Sequence, residues 1–280
     1  MAESALRWTF SILAIFLVGP LLALLISGLR AIDGSHDLSL IINAKPGLGL
    51  ALGLCVIIGA GIFGLVASKI VTRGTGMASV GLVVVWSAWQ MGTVDHIVRS
   101  NPDGPLTKLA IEGLLVGLVG VLFATLIDIT CKGSREKIKS VFALPDSAFF
   151  ASIVAGVLVG GVVAWFVGYQ TLKGQALFAA FLGSIGAGAA AQLTAMMLGK
   201  DPRSMTGFLS IAVLAAVAPL AAMYFHGTGL QQAVRAGPNG FFGAAVPVSL
   251  DWVVGMFLGV PVGQAWGASM LEKRGYPVNA

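Results

Sequence analysis

Long apolar runs, separated by short polar stretches, repeat along the whole chain. A helix rises about 1.5 Å per residue, so roughly 20 mostly apolar residues cross the hydrocarbon core of a bilayer. On that measure the pattern predicts spans at Trp8–Leu29, Leu48–Val71, Gly76–Val94 and Leu106–Ile129. Four more follow at Phe149–Thr171, Gly174–Leu198, Met205–Phe225 and Ala244–Met270. Runs such as Gly113–Ile127 have no polar face, which a helix at the surface of a water-soluble core requires. The expectation is an all-α, polytopic transmembrane helix bundle of about eight helices, forming a single integral membrane domain over residues 1–280. Arg7 before the first run is the flank of a secretory leader, but the run exceeds the roughly 7–15 apolar residues of such a leader. Ser27–Ala31 offers no small-x-small cleavage site, so a retained helix is expected.

Composition sharpens this picture. Of 280 residues, 57% are hydrophobic and 10% charged, where a soluble domain carries about a quarter charged residues. The formal charge of +5 is therefore read as loop charge, and no nucleic-acid partner is expected. Arg7, Lys69, Arg73, Lys132, Arg135, Lys137, Lys139, Lys200, Arg203, Lys273 and Arg274 fall at one set of span ends. Arg30, Lys45, Arg99, Lys108, Lys173 and Arg235 fall at the other. Eleven against six predicts that both termini are cytoplasmic, in an inner cell membrane, with the basic loop Cys131–Phe142 as the main anchor. Cys55 and Cys131 give no disulfide framework.

The 38 glycines are placed for packing. Gly255, Gly259, Gly263 and Gly267 recur every fourth residue, on one helix face. Ala179, Gly183, Ala187, Ala191 and Ala195 do the same in the sixth span, which predicts that spans six and eight form the tightly packed centre. Pro20, Pro219 and Pro261 lie inside spans and predict kinks. A shift of 100 positions aligns Ala60-Gly61 with Gly160-Gly161 and Arg73-Gly74 with Lys173-Gly174. Read as a repeat, residues 48–129 match 149–225, and three crossings per unit make the units antiparallel.

Few residues carry chemistry. Glu112 and Asp251 fall one or two turns inside the outer ends of spans four and eight, where a carboxylate is costly unless paired or hydrated. Asp251 follows Ser249 and also suits the first turn of a helix. Gln192 and Gln264 lie on the two ladder helices and are candidates to cap a cavity between them. His96 and His226, with His36, Asp33, Asp37, Asp95 and Arg99, crowd the expected outer face. Asp128 and Lys69 are expected at inner ends, within reach of water. Trp86, Trp89, Trp165, Tyr169, Tyr224 and Trp252 are expected as interfacial anchors.

Spacings for a metal site, a nucleophile elbow, a dinucleotide fold or an axial haem ligand are missing, so no metal, no cofactor and no catalytic residue are expected. The leading functional reading is a small permease or channel-like transporter of unknown substrate, with its pathway among spans four, six and eight. The alternative is a non-catalytic membrane subunit that scaffolds or anchors a larger complex. The expected partners are the lipid bilayer and either further copies of the chain or a larger membrane complex.

Overall fold

The computed structural model describes residues 2–36, 38–100, 104–131, 144–236 and 242–272. Most of the basic loop 132–142, along with Asp37, Lys273 and Arg274, therefore lies outside the described residues. Among those described, every regular element is a helix. The first span comprises α1 (Ala2–Leu13), a π-helical turn (Ala14–Val18) and α2 (Gly19–Ser27). It is followed by α3 (Pro46–Ile70), α4 (Arg73–Trp89), the short α5 (Val94–Ser100) and α6 (Pro105–Thr130). After these come α7 (Ser147–Val167), α8 (Lys173–Met197), α9 (Ser204–His226), the short α10 (Leu230–Arg235) and α11 (Ser249–Glu272). Seven of these helical stretches are long and apolar enough to cross a membrane, and the pair α4 and α5, bent by 40°, makes the eighth. Large apolar side chains such as Phe16, Leu158, Phe166 and Trp165 face outward, which suits a surface solvated by lipid. The chain is a multi-pass membrane protein.

Helix starts follow local chemistry. Pro46 and Pro105 open α3 and α6, where a missing N–H costs no helical bond. Gly104 enters α6 with φ of +62°, in the left-handed region that a side chain resists. Thr72 caps α4 through the Thr75 N–H, and Asp146 caps α7 through the Phe149 N–H.

Three readings change at this level, two span boundaries and the place of Trp252. The third span ends at Trp89 rather than at Val94, because Gln90 and Met91 turn the chain into α5. The last span starts at Ser249 rather than Ala244, since Gly243–Ala245 forms a 3-10 turn ahead of Pro247, which resists helix in the residue before it. Helix α9 runs through Pro219 and α11 through Pro261, and Pro20 stands in the first turn of α2, one residue after the π turn. Trp252 is not an anchor: it is buried between helices, beside Gly183.

The glycine ladder of α11 lies against α8, on Ala180, Phe181, Ser184, Ile185, Ala189 and Gln192, whereas Gly183 and Ala187 of the α8 ladder face Gly160 and Ala164 of α7. A Cβ at Gly255 would strike the Ala180 carbonyl, one at Gly259 would lie 2.5 Å from the Phe181 oxygen, and one at Gly267 would lie 2.9 Å from Gln192 Cβ. The offset of 75 positions from Ala180 to Gly255 recurs from Gln192 to Gly267, so α8 and α11 run parallel. Helices α6 and α9 make the antiparallel counterpart, with Gly113 on Ala215 and Gly117 on Ala212. Around these pairs, α7 packs on α8, α3 on α4, and α11 also on α4.

Because the atoms facing Gly263 are backbone atoms of Ile185 and Ala189, an added methyl cannot be relieved by a rotamer change. Gly263→Ala is expected to cost roughly 1–3 kcal/mol, seen as a lower unfolding temperature in detergent. Gly174→Ala, with open space around its Cβ, is expected to leave that temperature unchanged.

Candidate functional site

Ionisable groups inside the bundle collect in two layers, one near each end. Helix α6 carries a carboxylate in both: sixteen positions separate Glu112 from Asp128, about 24 Å along a helix. Helix α11 likewise contributes Ser249 and Asp251 to one layer and Gln264 to the other.

At the Glu112 end, two irregular segments are buried inside the bundle. Residues 38–43 bury Leu38, Ser39, Leu40, Ile42 and Asn43, and residues 243–248 bury Gly243, Ala244, Ala245, Val246 and Val248. Backbone buried in this way must be satisfied from within the protein. Glu112 supplies both acceptor oxygens. Oε2 accepts from the Ser39 hydroxyl (2.6 Å) and the Ile41 N–H (2.8 Å), while Oε1 accepts from the Ser249 hydroxyl. Asp251 does the same for the second segment, accepting the Val248 N–H at 3.0 Å. Its other oxygen takes the Lys173 ammonium at 2.7 Å. His226 Nε2 accepts the Phe242 N–H at 3.0 Å, which puts its ring proton on Nδ1. Asn43 takes the Lys45 N–H and donates to the Leu40 carbonyl, each at 2.7 Å.

At the opposite end, Asp128 is buried rather than exposed to water. Arg73, at the start of α4, pairs with it through Nε and lies 3.4 Å from its second oxygen through Nη2. The Ser204 hydroxyl, at the start of α9, donates to the same carboxylate. Gln264 donates to the Ser204 carbonyl at 2.6 Å and accepts from Arg73 at 3.5 Å. Helices α4 and α9 thus meet α6 on one carboxylate, with Gln264 of α11 bracing the two donors, which offsets the cost of removing it from water.

Glu112 and Asp251 thus come together around the start of α11, whereas Gln264 belongs to the Asp128 layer. Gln192 packs on Gly267 and points its amide toward Met196 sulfur at 3.8 Å. His96 lies on the exposed face of α5, beside Asp95, whose carboxylate takes the Thr93 hydroxyl at 2.6 Å. In the loop after α2, the Ser35 N–H holds the exposed Asp33 carboxyl below the usual carboxylate range. Among the described residues, no three His, Cys, Asp or Glu side chains gather as metal ligands.

Ser39 and Ser204 are the members that sequence reading missed, and they resemble any other serines. Arg73 and Lys173 were read as loop charges and repeat positions, Asp128 as a water-facing residue and Ser249 as the start of a helix, not as partners of buried groups. Among the described residues, cavities border the bundle at three places of note. One, of about 220 Å³, lies at the Asp128 end among α7, α8 and α9. An apolar groove of about 360 Å³ runs between α4 and α11. The third, of about 280 Å³, surrounds Arg30, Asn43 and Lys45. Neither Glu112 nor Asp251 lines any of the three. Compared with protein families, curated proteins and solved structures, the chain matches none.

Asp251→Asn keeps an acceptor for Val248 but strands the Lys173 ammonium at a largely buried position. A loss of roughly 3–5 kcal/mol is expected in equilibrium unfolding in detergent, and Lys173→Met on top of it is expected to recover most of that loss.

Proposed function

We propose that this chain is a small permease or channel-like transporter, with a pathway among α6, α8 and α11 that the two polar layers close at either end. One observation carries the reading. Arg73 and Lys173 each begin a span, stand 100 positions apart, lie at opposite ends of the bundle, and are each bonded to α11. An inverted repeat of residues 48–129 and 149–225 accounts for this, because it sends equivalent positions to opposite membrane faces. The packing agrees with such a repeat: α3 contacts α4 and α6 as α7 contacts α8 and α9. In this reading α11 is a shared strut whose two ends lock alternately, at Asp251 by Lys173 and at Gln264 by Arg73. The bias of Lys and Arg between alternate span ends in the sequence, eleven against six, supports a cytoplasmic location for both termini, in an inner cell membrane.

A second reading, a non-catalytic subunit that anchors a larger complex, is favoured by a different observation. Glu112 and Asp251 are fully engaged in holding buried backbone and line none of the three cavities. Carboxylates used in this way suit a rigid scaffold as well as a closed gate.

Labelling of a buried position separates the two. Ser184 faces Gly255 and Gly259 of α11 from α8, between the layers, and is fully buried. In a chain with Cys55 and Cys131 replaced by Ala, Ser184→Cys is expected to react slowly with a membrane-impermeant maleimide. Adding Arg73→Gln is expected to speed reaction from the Asp128 face, and Lys173→Gln from the Glu112 face. Absence of labelling from both faces in every variant overturns the transporter reading. A stoichiometric protein partner retained through mild purification is what the scaffold reading requires.

A further inference from the structure

The cavity of about 220 Å³ at the Asp128 end carries polar groups that neither layer uses. It lies where α7 begins, α8 ends and α9 begins, and it holds several times the roughly 30 Å³ that one water takes in the liquid. Ser152 lines it, fully buried, and its hydroxyl has no hydrogen-bond partner among the described residues. Ser79, Ser87, Ser184 and the Trp252 indole N–H share that state among the described residues, and of these five Ser152 is the one that lines this cavity. Two cations and two carboxylates share the wall: Lys200 and Arg203 with Asp146 and Asp201. Lys200 and Arg203 approach Asp146 only to 4.0 and 3.9 Å, beyond hydrogen-bond range. Arg203 is held instead by the Leu144 carbonyl at 2.8 Å and by the Phe149 ring at 5.2 Å. The N-terminus of α9 has no side-chain cap, and Thr206 of its first turn also lines the cavity.

We propose that this cavity binds the phosphoethanolamine headgroup of a bilayer lipid. The phosphate is taken by Lys200, Arg203 and the uncapped start of α9, since helix N-termini and basic side chains both favour phosphate oxygens. The ammonium is taken by Asp146 and Asp201, and the Ser152 hydroxyl gains its missing partner. Equal numbers of positive and negative groups suit a zwitterion better than an anionic headgroup, and carboxylates favour an ammonium with N–H donors over a trimethylated one. A lipid fits better than a free solute because the cavity is formed by the ends of three helices long and apolar enough to cross a membrane. Around it Leu144, Phe150 and Met197 are 87%, 59% and 80% exposed, an apolar flank for acyl chains.

The test is native mass spectrometry of the whole chain in detergent, given equimolar phosphatidylethanolamine, phosphatidylcholine and phosphatidylglycerol. Phosphatidylethanolamine is expected to be retained about fivefold over either competitor. Asp146→Asn preserves the cap of α7 and is expected to bring the three lipids to parity, at an unchanged unfolding temperature. Should that variant fail to fold, Asp201→Asn gives the same reading, and Ser152→Ala is expected to weaken retention of the same lipid. Parity of the three lipids on the unaltered chain, or a preference that survives both Asp variants, means annular lipid only and overturns the proposal. Displacement by soluble glycerophosphoethanolamine at concentrations equal to the lipid identifies a free solute as the ligand and overturns the assignment to lipid.

Discussion

The direct backbone contact between α8 and α11 sets the position of everything polar in this protein. Lipid is as apolar as a leucine side chain, so helices in a membrane are held by close approach and by hydrogen bonds rather than by escape from water. With glycine at four successive turns of α11, the backbone of α8 comes near enough for dispersion to act along the whole contact. The contact is parallel, so both helices begin at the same end of the bundle. That places Lys173, the first residue of α8, against Asp251 in the first turn of α11.

From that pairing the Glu112 layer follows. Once the start of α11 is held by Lys173, Ser249 lies beside α6 and reaches Glu112, and the same carboxylate collects the segment 38–43. The layer is the means by which irregular backbone is kept buried inside the bundle. Each acceptor serves a particular N–H: Glu112 that of Ile41, Asp251 that of Val248, His226 that of Phe242. The Asp128 layer differs in kind. It joins side chains from four helix ends through an ion pair.

The spans were legible in the sequence because run length and hydropathy are local properties. The close-packed face of the eighth span was legible too, since a residue type repeated every fourth position serves one helix face, but the ladder of the sixth span turned out to face α7 rather than α11. Boundaries failed where apolar residues are not helical. Ala244–Val248 reads as the start of a span by hydropathy, and only Pro247 hints that it is buried loop. The ion pairs were out of reach for another reason. Arg73 and Asp128 are 55 positions apart and Glu112 and Ser249 137, and nothing local in a charged residue near a span end distinguishes a topology anchor from half of a buried pair.

The ladder helix α11 comes after all of its partners in the chain, which bears on how the protein is made. While the earlier spans enter the membrane one after another, Glu112 lacks its Ser249 donor, Lys173 lacks its counter-ion, and the glycine-matched face of α8 has only lipid to meet. Insertion of α11 completes all three at once. Biosynthesis therefore leaves a late intermediate with an ammonium and a carboxylate incompletely engaged near one membrane face, and arrival of a single helix commits the whole bundle.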